Sequence, residues 1–161
     1  MKFRIVLVAV GLAACAVALA DDDCQRQADF VLDMVAAKPG VLVAAEEARK
    51  DNRTVEAWQY QLLLNGESLT KLGVSSEKQE EMAKSITGLN YSDNPEVEVN
   101  IFEDYFFLTC EMEKRGEAYR PLREISKNAL LQCWETVASR EEFQECLVPL
   151  IQAPTRDRRS D

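Results

Sequence analysis

The chain has 161 residues, with 28 acidic against 19 basic side chains, a formal net charge of −9 and no histidine. That balance repels nucleic acid and anionic lipid surfaces. Without histidine there is no Ser-His-Asp or Cys-His catalysis, no H-E-x-x-H zinc site and no E-x-x-H di-iron site.

Lys2 and Arg4 precede an apolar run from Ile5 to Ala20. The run is short for a membrane span of about 20 residues but suits the apolar core of an export signal. Ala18-Leu19-Ala20 before Asp21-Asp22-Asp23 predicts cleavage after Ala20. The alternative is a lipobox, Leu12-Ala13-Ala14-Cys15, whose cysteine would carry lipid and tether the chain to a membrane. Residues 1–20 are therefore assigned to a signal peptide, 21–153 to a helical domain and 154–161, which lack an apolar anchor, to a disordered tail. Localisation follows as periplasmic or secreted, with a membrane-anchored lipoprotein as the alternative.

Apolar residues then recur at helical spacing. Cys24, Ala28, Val31 and Val35 share a face, widened by Phe30 and Met34, and Pro39-Gly40 is expected to end that helix. A short helix over 41–50 is closed by Asp51-Asn52. Thr54 reads as the cap of a helix carrying Val55, Trp58, Leu62, Leu69 and Leu72. That helix either breaks at Asn65-Gly66 or runs on to Gly73. Ser76 with Gln79 resembles a capping box opening a helix with Met82, Ala83 and Ile86, stopped by Gly88. Asn94-Pro95 opens a central helix with Val97, Ile101, Tyr105, Leu108 and Met112 on one stripe and Phe102, Phe106 and Cys110 on the next. Val97, Val99 and Ile101 also alternate as a strand would, but the helical period continues past them. Pro121 marks the start of a helix through Leu122, Ile125, Ala129, Cys133 and Val137. Ser139 with Glu142 caps the last helix, in which Pro149 interrupts an otherwise regular pattern. The fold class is all-α: a single-domain, disulfide-stapled bundle of about five to seven helices.

Cys24, Cys110, Cys133 and Cys146 make an even set in an exported chain, which reads as disulfides. Cys133 and Cys146 stand at near-mirror positions about the turn at Ser139, so an antiparallel hairpin brings them together. Cys24 and Cys110 pair by elimination. No C-x-x-C pair points to zinc or to redox chemistry.

No catalytic, cofactor-binding or metal-binding residue is assigned, and no cofactor. Carboxylates are the one abundant reactive type: Glu103-Asp104, Glu111, Glu113, and the group Glu141, Glu142 and Glu145. All are placed on solvated helix faces. Glu142 is committed to its cap, so Glu141 and Glu145, neighbours at four-residue spacing, are the candidate partner-binding pair.

The general profile resembles small exported helical proteins that bind or restrain another envelope protein, a class that includes type VI amidase immunity proteins. The likeness lies in the profile alone and carries no binding residues over. The expected function is a non-enzymatic binding protein of the bacterial envelope, with an inhibitor or immunity protein occluding a basic protein partner as its specific form. The alternatives are an envelope structural or chaperone-like protein and an Asp/Glu-based hydrolase. Nucleic acid is not an expected partner, and a membrane is one only through lipid on Cys15. The sequence sets no oligomeric state.

Overall fold

The computed structural model describes the backbone of residues 8–153 and side chains from 23 to 153. The start of the leader, residues 1–7, the Cys15 side chain of the lipobox and the tail at 154–161 lie outside what is described. Six α-helices follow in order: α1 Val8–Lys50, α2 Ala57–Lys71, α3 Ser76–Gly88, α4 Pro95–Lys114, α5 Lys127–Thr136 and α6 Arg140–Ile151. A 3-10 turn, Leu122–Glu124, lies before α5. None of the described helices is long and apolar enough to cross a membrane.

The largest departure from expectation is α1, which passes through Pro39-Gly40 without stopping. Proline inside a helix removes one backbone hydrogen bond and costs about 3 kcal/mol. Packing on both sides of it offsets that cost. Val31, Met34 and Val35 before the proline and Val41 and Ala48 after it are all buried along one face. Lys38, immediately before Pro39, is fixed as well, donating to the Leu89 carbonyl at 2.8 Å and to Glu98 at 2.7 Å. The chain stops where Asp51-Asn52 was expected to close it, with Asn52 at φ 57°. Asp21–Asp23, which follow the expected cleavage site, lie inside the continuous helix.

Residues 53–56 carry no helix, so Thr54 is not the cap. Glu56 takes that position, its backbone N–H donating to the Gln59 side chain at 2.8 Å. Of the two readings of α2, the longer holds: the helix continues through Asn65-Gly66, because Asn65 is buried with Gln61 and Leu69, and the turn comes at Gly73, φ 78°. The α3 cap moves one residue back from Ser76 to Ser75, whose hydroxyl accepts from the Lys78 N–H. Gln79, freed from that role, is buried and donates to the Val74 carbonyl and the Thr70 hydroxyl. Pro121 opens only the 3-10 turn, and α5 starts six residues later. Leu122 and Ile125 are nonetheless buried, so their spacing reports core burial rather than helix.

The α4 helix is the hub. It starts as expected, with the Asn94 side chain accepting from the Glu96 N–H at 3.0 Å, and it ends before Gly116 at φ 70°. Val97–Ile101 is helical, so the strand alternative falls. Ile101, Phe102, Tyr105 and Phe106 are essentially inaccessible. A face so wide packs on α1 and α6 at once. The α1–α4 pair is antiparallel, since Cys24 meets Cys110 while Lys38 meets Glu98. Two buried tyrosines tie the 120–122 segment to the core: Tyr91 donates to the Leu122 carbonyl and Tyr105 to the Arg120 carbonyl.

Both disulfides form as the sequence implies, with Cα separations of 5.6 Å for Cys24–Cys110 and 5.7 Å for Cys133–Cys146.

Candidate functional site

The candidate site is the outer face of the α5–α6 hairpin. Its inner face is fixed first by packing: Leu130 on α5 and Phe143, Leu147 and Ile151 on α6 are buried, with Trp134 edge-on to Phe143 at 5.4 Å. The turn is fixed by its cap. The Ser139 hydroxyl accepts from the Glu142 N–H, and the Glu142 carboxylate accepts from the Ala138 N–H at 2.8 Å. Glu142 is therefore committed to the turn, as its spacing from Ser139 implied. The Cys133–Cys146 bond then closes the hairpin midway along both helices.

A second anchor was not legible in the sequence. Glu103 and Asp104, assigned to a solvated face of α4, are buried, with Asp104 wholly inaccessible. The reason is a partner far along the chain. Arg140 donates through Nε to Asp104 at 2.8 Å and through Nη2 to Glu103 at 2.6 Å, while Gln144 adds a bond to Asp104 at 2.7 Å. Burial pushes the Arg140 guanidinium down, but the two carboxylates more than reverse this and the net direction is up. Two acids and one base leave this cluster negative. The signal that could have exposed it is the lone cation at the start of α6, facing two adjacent acids on the widest helix.

Glu141 and Glu145 are both exposed on α6. Neither has an ion-pair partner among the described residues. Arg140, the nearest cation in sequence, is spent on Glu103 and Asp104 and cannot also neutralise them.

The other carboxylates go elsewhere. Glu111 is half-buried beside Lys114 and Arg115. Glu113 lies on an open groove of about 870 Å3 between α3 and the 119–123 segment. There Lys78 donates to Glu113 at 2.9 Å and to the Tyr119 hydroxyl at 2.7 Å, and pairs with Glu81 at 3.3 Å. Tyr119 also donates to Glu113. Burial pushes Lys78 down, but Tyr119, Glu81 and Glu113 together raise it. Burial and Glu113 push the Tyr119 phenol up to about 12. An ammonium lodged between two carboxylates is an anchor joining α3 to α4.

Searches among protein families, characterised proteins and solved structures find no match to this chain. Among the described residues, no group of His, Cys, Asp and Glu is arranged to hold a metal ion.

Proposed function

We propose that this is an exported, non-enzymatic binding protein of the bacterial envelope, an inhibitor or immunity protein that occludes a basic surface on another protein with the acidic face of its C-terminal hairpin. The observation that carries this reading is the pairing of exposure with rigidity. Glu141 and Glu145 are open to solvent and without an ion-pair partner among the described residues, yet the helix bearing them is held by a disulfide on one side and a buried ionic cluster on another. Like charges at four-residue spacing cost a few tenths of a kcal/mol in an isolated helix, and a cationic partner relieves that repulsion. A preorganised face also loses little entropy on binding.

Export is supported by the leader pattern and by the two disulfides, which are compatible with an oxidising compartment. Cleavage after Ala20 would make Asp21–Asp23 the first turn of α1, where negative charge suits the helix dipole. Intact-mass measurement of protein recovered from the envelope should give Asp21 as the first residue. A diacylglyceryl-modified Cys15 would make the protein a lipoprotein instead.

The binding reading is tested by placing a photo-crosslinking residue at position 141, capturing the neighbour in the envelope, and measuring its association with the purified protein. Glu141→Gln with Glu145→Gln should slow association roughly tenfold at low salt and much less at physiological salt, because steering by exposed charge is screened. An association rate that is unchanged at both salts places the interface elsewhere and overturns the proposal.

A further inference from the structure

The most exposed large apolar side chains of the described residues are Leu63 at 79% and Leu64 at 66%, adjacent on α2. The buried side of this helix is Gln61, Asn65 and Leu69, facing α1 and α3. At 3.6 residues per turn, Tyr60, Leu63, Leu64, Glu67 and Lys71 all fall on the opposite side. Glu56, the N-cap, continues the same row one step beyond the helix.

This row is symmetric in spacing about its midpoint and complementary in chemistry across it. A two-fold axis through the midpoint of Leu63 and Leu64, perpendicular to the helix, sets an antiparallel copy so that Leu63 meets Leu64, Tyr60 meets Glu67 and Glu56 meets Lys71. Each pairing is favourable: apolar on apolar, a phenol donor on a carboxylate, and an acid on a base. Lys71 already holds Glu67 at 2.7 Å on the exposed surface, so in such a pair it would lie between two acids. Self-complementarity of this kind is what an isologous interface requires, each patch serving both partners. A basic partner would find only two acids here, with Lys71 against it, whereas a second copy satisfies every charge in the row.

We propose that α2 pairs antiparallel with α2 of a second copy, making the protein a symmetric dimer whose hairpin acids at Glu141 and Glu145 take no part in the contact. One helix pair covers less surface than a standard interface, so the association is expected to be weak and concentration-dependent.

Sedimentation velocity on the mature, disulfide-bonded protein over a wide concentration range tests this. The wild type should show reversible dimerisation. Leu63→Glu should weaken it at least tenfold with unchanged helicity by circular dichroism. Lys71→Glu should also weaken it, since it sets an acid against Glu56 of the second copy, while Glu56 is left unchanged because it caps α2. A protein that stays monomeric at the highest concentration overturns the proposal. So does a dimer indifferent to Leu63→Glu or to Lys71→Glu, because each denies this face or this register.

Discussion

Replacing Arg140 with methionine should be among the most damaging single changes available at a partly exposed position. The substitution keeps much of the side-chain length but removes the two bonds to Asp104 and Glu103. Asp104 is then a fully inaccessible carboxylate retaining only its Gln144 bond, and Asp104 Oδ2 already lacks a hydrogen-bond partner among the described residues. Breaking a buried pair by removing one member costs about 3–5 kcal/mol. The Arg140 side chain is 40% exposed, so solvent reaches the vacated site and the lower end of that range, about 3 kcal/mol, is expected. For a chain of this length that is a fall of roughly 10 °C in melting temperature. Urea unfolding with both disulfides intact measures it. Asp104→Asn in the Arg140→Met background should cost much less than the two single changes added together, with a coupling of about 1–3 kcal/mol, since removing the charge removes the need for a counter-ion. A loss below about 0.5 kcal/mol for Arg140→Met, or strict additivity in the cycle, would mean that the cluster is solvated and that α6 is held by packing and its disulfide alone.

Three further outcomes follow from the geometry. Gly40 is helical and a Cβ there meets nothing within 4 Å, so Gly40→Ala should stabilise by about 0.5–1 kcal/mol, whereas Gly116→Ala, at φ 70°, should destabilise by about 1 kcal/mol; thermal melts of the pair check both signs. Loss of Cys24–Cys110, which closes a separation of 86 residues, should cost about 4.5 kcal/mol against about 3 kcal/mol for Cys133–Cys146, which closes 13, as compared by denaturation of the two double-serine variants. The phenol of Tyr119, raised by burial and Glu113 to about 12, holds its proton more tightly folded than unfolded, so its stability contribution is intact below pH 10 and is lost as pH rises through 12; Lys78, also raised, acts in the same direction, and absorbance titration of Tyr119→Phe against the parent should show one phenolate wave missing near pH 12 and a smaller alkaline loss of stability.

The parts of this fold set by local chemistry could be read directly. Asn94-Pro95 and Ser139 cap their helices through their own side chains, and Cys133 and Cys146 meet because a hairpin mirrors positions about its turn. The larger misreadings share one cause, which is a partner distant in sequence; the one-residue shift of the α3 cap from Ser76 to Ser75 is local. Pro39 breaks isolated helices, yet here Lys38 is held by Leu89 and Glu98, some fifty and sixty residues on. Glu103-Asp104 looks like an ordinary polar interruption until Arg140, 36 and 37 positions away, supplies the charge that makes burial tolerable. Thr54 fails as a cap because 53–56 is an extended return, lying with Leu42, Ala45 and Arg49 along one shallow groove, and nothing local reports where α1 stands. At the candidate site, the exposure of Glu141 and Glu145 was legible from spacing, while the burial of Glu103 and Asp104 under Arg140 was not.

The position of Cys24–Cys110 also decides how the molecule would carry load. A pull on the N-terminal side of residue 24, resisted at the hairpin, crosses directly into α4 through the disulfide and reaches α6 through Arg140. The chain between the two cysteines, with all of α2 and α3, lies off that line and cannot be drawn out while the bond holds. With the Cys133–Cys146 ring also closed, only about 30 residues between Cys110 and the end of α6 could extend, roughly 100 Å of slack at full stretch. Mechanically the protein is a short strut from Cys24 to the α5–α6 hairpin, with α2 and α3 as a side package, and reduction of a single bond would convert the strut into a long tether.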